Sequence, residues 1–103
     1  MTAAERVARG AALLDKRMPG WAARIDLSVL DLANECRCVL GQLWTGDDDP
    51  YVTGLRTLDL VDGGRPYGFV TGDVGNIDDA LAEYRELDEL WIAEIQRRRE
   101  VAP

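Results

Sequence analysis

Residues 77–99 read IDDALAEYRELDELWIAEIQRRR, and this stretch decides the fold class. With successive residues turned by about 100°, Ile77, Ala80, Leu81, Tyr84, Leu87, Trp91, Ile92 and Ile95 fall within an arc of roughly 140°, the stripe of an amphipathic helix. Asn76 stands before it as an N-cap. Asp78 and Asp79 complement the positive end of the helix dipole, and Arg97, Arg98 and Arg99 complement the negative end. Two residues break the pattern. Asp88 lies inside the arc between Tyr84 and Trp91, where a carboxylate costs several kcal/mol unless it is paired or hydrogen-bonded. An arginine such as Arg24 or Arg37, or a Trp or backbone N–H, would satisfy it structurally; the functional reading makes it a polar group at the base of a pocket. Leu90 falls outside the arc, as Leu13 does in the first helix. Each is covered by the central loop or belongs to a contact surface.

Upstream, Thr2-Ala-Ala-Glu5 has the form of a capping box. Ala4, Val7, Ala8, Ala11, Leu14 and Met18 then recur at helical spacing until Pro19 and Gly20 stop the helix. Residues 25–32, IDLSVLDL, fit either an alternating strand or a short helix; Asp26 as N-cap, with Ile25 and Leu30 as a hydrophobic staple, favours the helix. Asn34 caps a third segment in which Cys36, Val39, Leu40, Leu43 and Trp44 keep a three-four spacing before Gly46. Seven of the ten glycines, with Pro50 and Pro66, fall in residues 46–75, so irregular structure concentrates there. Within that segment Asp49-Pro50 opens a short helix near 50–59. Asp62-Gly63-Gly64 is a turn signal around which Leu60-Val61 and Tyr67–Val70 could pair as a hairpin. The expected fold is therefore mainly α: one small helical domain over residues 1–103, with about four to five helices, a Gly-rich irregular segment and a short β-hairpin near 60–70.

The available chemistry is narrow. There is no histidine, which removes Ser-His and Cys-His nucleophiles and every histidine metal site. Ser28 is the sole serine and lies in no G-x-S-x-G motif, and neither a P-loop nor a G-x-G-x-x-G element occurs. Cys36 and Cys38 are separated by one residue, so on a helix or a strand their thiols diverge; they are read as free, largely buried cysteines. Asp47, Asp48 and Asp49 are weak metal candidates, because consecutive carboxylates lack the alternation of a calcium loop. Trp44, Tyr51, Tyr67 and Phe69 gather around the glycine-rich segment as contact anchors or lids of a small core. Together with Asp88 and Leu90 they are the interaction candidates. No catalytic residue and no cofactor is expected.

The chain's 103 residues fit a single domain, and a hydrophobic share of 47% beside 30% charged residues is that of an ordinary globular protein. No stretch approaches the roughly 20 apolar residues of a membrane span, and the N-terminus carries no leader pattern, so a cytoplasmic protein is expected. The net charge of −7 is unevenly placed: residues 1–45 sum to +1, residues 46–96 to −10 and residues 97–103 to +2. An acidic second half repels phosphate backbones and favours basic partners, so a protein partner is expected and direct nucleic-acid binding is not. Self-association stays open.

Gly10–Leu14, Pro19-Gly20-Trp21, Ile25-Asp26-Leu27, Cys38–Leu43, Tyr67-Gly68-Phe69 and Tyr84–Trp91 with Ile95 resemble a group of small uncharacterised proteins of actinobacteria and their phages. The resemblance covers most of the chain and agrees with eleven arginines against the single Lys16. It implies no activity. What it favours is a small accessory protein that acts by binding a host or phage macromolecule. An acidic decoy of nucleic acid is the alternative, and a carboxylate metal site the second alternative.

Overall fold

The computed structural model describes residues 2–60, 63–71 and 76–101. Helix α1 spans Ala3–Arg17, α2 Val39–Leu43, α3 Pro50–Thr57 and α4 Ile77–Val101, with 3-10 segments at Trp21–Arg24 and Arg65–Tyr67. The protein is mainly helical, and no strand occurs among the described residues. None of the described helices is long and apolar enough to cross a membrane.

Each long helix starts where a side chain accepts from its free N–H groups. Thr2 Oγ1 accepts from Glu5 N at 3.1 Å, and Asn76 Oδ1 accepts from Asp78 N at 2.8 Å and Asp79 N at 3.3 Å. Asp49 Oδ1 accepts from Val52 N ahead of α3, with Pro50 in the first turn as expected. The 25 residues of α4 form the spine of the molecule. α1 packs along α4, and α2 pairs with α3 beside them.

The face that α1 buries is Ala3, Val7, Gly10, Ala11 and Leu14; Ala4 and Ala8 are exposed. The stripe is rotated from the expected one because Gly10 lets α1 approach closely. A Cβ on Gly10 would stand 2.1 Å from the Tyr67 carbonyl oxygen and 3.0 Å from the Trp91 ring. At this crossing Trp91 stacks on Phe69 (centroids 5.2 Å apart, 16° between planes) and meets the edge of Trp21 at 5.8 Å. Its indole N–H donates to the Gly68 carbonyl at 2.7 Å. One continuous cluster of buried side chains surrounds these rings.

Three expectations are corrected. Residues 26–32 form no helix. The Asp26 carboxylate accepts from the Ser28 N–H and hydroxyl in a local turn, and Gln42 holds the backbone of Asp26 through bonds to its N–H and carbonyl. The third helix begins at Val39 and not after Asn34. Asn34 Oδ1 accepts from Cys36 N and Arg37 N in a turn of its own, and Cys38 Sγ caps the helix by accepting from Gly41 N at 3.2 Å. No hairpin forms at residues 60 and 63–70; Val61 and Asp62 lie outside the described residues. There the Gly64 carbonyl accepts from both Tyr67 N and Phe69 N, Pro66 sits inside the 3-10 segment, and Gly68 adopts φ 71°, so the chain closes on itself.

Candidate functional site

The stripe on α4 changes character along its length. Ile77 is 76% exposed and Leu81 49%, Tyr84 is half-buried, and Leu87, Trp91 and Ile95 are fully buried. The stripe does not pack along its whole length: full burial begins after Tyr84, and the first two turns leave Ile77 and Leu81 exposed. Ile77, Leu81 and Val29 are the large exposed apolar side chains among the described residues.

Where this stripe enters the body lies a cavity of about 200 Å³, lined by Leu32, Ala33, Glu35, Cys38, Tyr51, Phe69, Val70 and Tyr84. Each wall has a local cause. The turn through Glu35 is held by the Asn34 side chain and by the Cys38 thiol, whose Sγ donates to the Glu35 carbonyl at 3.6 Å. Gly41 allows this turn to sit on α2, since a Cβ there would meet the Glu35 carbonyl oxygen at 2.1 Å. Tyr51 comes from the first turn of α3, set by the Asp49 cap and Pro50. Phe69 follows the 3-10 segment and is pinned against Trp91.

Asp88 stands one turn below Tyr84 and accepts from the Leu32 N–H at 2.7 Å. The partner is thus a backbone N–H, one of the structural alternatives expected for it, and neither Arg24 nor Arg37 takes that place. Arg24 instead donates to the Leu43 carbonyl. Burial raises the Asp88 carboxyl above the ordinary carboxylate range, the Leu32 N–H opposes this, and the charges of Asp31 and Glu89 add to the rise. Burial also raises the Cys38 thiol and pushes the Tyr51 phenol up to about 12, with the Gly64 N–H bonded to the phenol in opposition. Both groups are therefore neutral near pH 7. They offer hydrogen bonds and apolar contact, and a protonated thiol is a poor nucleophile.

The structure joins Tyr51 and Phe69 at this cavity and separates the other candidates. Trp44 is half-buried against Gly54 at the end of α2. Tyr67 lies under the Arg9 guanidinium, 4.8 Å from its ring centroid, across the crossing with α1. Leu90, like Leu13, is half-buried and packs against the margin of the core. Asp47, Asp48 and Asp49 are exposed, with Asp49 capping α3. Among the described residues no three His, Cys, Asp or Glu side chains converge to hold a metal ion. Cys36 is exposed and Cys38 buried, so the reading of both as largely buried holds for Cys38 alone.

No protein-family model matches the chain, and no curated protein or solved structure does so either. Tyr84, Glu35, Cys38 and Leu32 line the cavity without having been singled out as interaction residues from sequence. For Tyr84 a signal existed, since it shares one narrow stripe with Ile77, Leu81 and Asp88; the turn carrying Glu35 had none.

Proposed function

We propose that this is a non-enzymatic interaction protein that docks a basic, amphipathic segment of a protein partner on the first turns of α4. One observation carries the reading: Ile77 and Leu81 stand exposed on a helix whose first turns also expose Asp78, Asp79, Glu86 and Glu89 against one basic side chain, Arg85. An apolar stripe in water marks a contact surface, and its acidic frame selects a partner of opposite charge. A second copy of the chain would bring the same negative field against itself, which disfavours self-pairing at this face.

The nucleic-acid decoy has less support. Glu83 pairs with Arg6 at 2.7 Å, Glu94 with Arg97 and Arg98, and Asp88 turns to the backbone, so arginines and internal bonds interrupt the acidic face. The arginine-rich composition supports an actinobacterial or phage origin, which makes an actinobacterial lysate the natural bait mixture. The test is capture by the tagged protein and by a variant carrying Ile77→Ser and Leu81→Ser. A specific basic protein should be retained by the parent, released as salt rises and lost by the variant. Equal retention by both proteins would refute the reading.

A further inference from the structure

The geometry points to the 200 Å³ cavity beside Tyr84 as the receptor for a lysine or arginine side chain of the docked segment. This rests on the docking reading above and adds the chemistry of one anchor. A cavity of about 150 Å³ holds a benzene-sized group, so this one accommodates the end of a long side chain but not a larger cofactor. Three of its walls are the aromatic residues Tyr51, Phe69 and Tyr84, and aromatic faces attract ammonium and guanidinium groups. Among the described residues no cationic side chain lines it, whereas Glu35 does. The Asp88 carboxyl accepts from the N–H of Leu32, a wall residue, and Asp31 and Glu89 lie close enough to Asp88 for their charges to reach it. Arg65 is exposed on the neighbouring turn and outside the lining, although its charge reaches Tyr51. The local field thus favours a cation, and an anionic side chain would meet Glu35 without a partner.

Position ties the cavity to the docking face. Ile77, Leu81 and Tyr84 lie within about 60° of one another around α4, and seven residues of helix span about 10 Å. A segment lying along α4 with its apolar residues on Ile77 and Leu81 therefore brings a basic side chain to the cavity about two helical turns further on.

The test records backbone amide shifts of the intact protein titrated with N-acetyl-arginine amide, N-acetyl-lysine amide, N-acetyl-norleucine amide and N-acetyl-glutamate amide. The two cationic probes should shift Leu32, Ala33, Phe69 and Tyr84 and saturate in the millimolar range, while the other two should not. Glu35→Gln should weaken the cationic probes by about threefold, the effect of losing an exposed charge partner. Ala33→Trp, which fills the cavity from an exposed position, should abolish the shifts while the rest of the amide spectrum stays folded. Equal shifts with norleucine amide, shifts outside the cavity, or no shift with either cation would overturn the inference. A cationic response at the cavity, beside a capture experiment insensitive to Ile77→Ser and Leu81→Ser, would uphold the cavity and refute the docking face.

Discussion

Asp88 is the residue on which the region between the first and second helices leans. Its carboxylate holds the Leu32 N–H from 56 positions away in sequence, and Leu32 in turn lines the cavity. Replacing it by alanine orphans a part-buried donor, and the expected loss is about 1–3 kcal/mol in urea unfolding; Asp88→Asn, which keeps a carbonyl acceptor, should lose less. Tyr51 makes a second test. Its folded-state pKa of about 12 exceeds the ordinary 10.0, so the folded protein retains a proton that the unfolded chain releases. Stability should be insensitive to this group below pH 10.0, and should fall as pH rises from there toward about 12. Tyr51→Phe should remove that alkaline decline, as followed by unfolding at a series of pH values.

At the scale of elements, the crossing of α1 over α4 depends on what Gly10 lacks. A methyl group at that position meets the Tyr67 carbonyl and the Trp91 ring, neither of which is a flexible chain end. Gly10→Ala should therefore destabilise by about 3 kcal/mol even though alanine is the better helix former, because overpacking outweighs a propensity gain of about 1 kcal/mol. Chemical denaturation and the near-ultraviolet signal of Trp91 would check this together. The other end of the same pair is tied by Arg98, which binds both oxygens of Asp15 at 2.9 and 2.8 Å while also pairing with Glu94. Arg98 holds the Asp15 carboxyl below the ordinary carboxylate range, so this contribution is present at neutral pH and lost as pH falls through that range. Arg98→Gln should accordingly flatten the acid side of the stability profile.

At the scale of the whole molecule, the division is between a helix half that is core and a helix half that is surface. Ile77 and Leu81 contribute little to folding where they stand. Ile77→Ser with Leu81→Ser should leave the unfolding free energy within about 0.5 kcal/mol while removing partner capture. A mutation pair that cost stability instead would mean that the first turns of α4 are covered in the folded protein.

Periodicity and capping residues alone determined the outline: α1, α3 and α4 start where Thr2, Asp49 and Asn76 stand, because a side-chain oxygen two or three residues ahead of a free N–H is a local interaction. The same locality explains the misreadings. Residues 26–38 allow helical spacing, yet Asp26 and Asn34 close local turns with their own carboxylate and amide oxygens, and Gln42 and Asp88 take further backbone groups from a distance that no local pattern reveals. Tyr51 and Phe69 were legible as aromatics near a glycine-rich segment, but only packing joined them to Tyr84, Cys38 and Glu35 around one cavity. For α4 the sequence specified an apolar stripe and nothing in it could say how far the body reaches. Burial depends on the neighbours that α1 and the turn at Tyr67 supply, and those neighbours run out before Leu81.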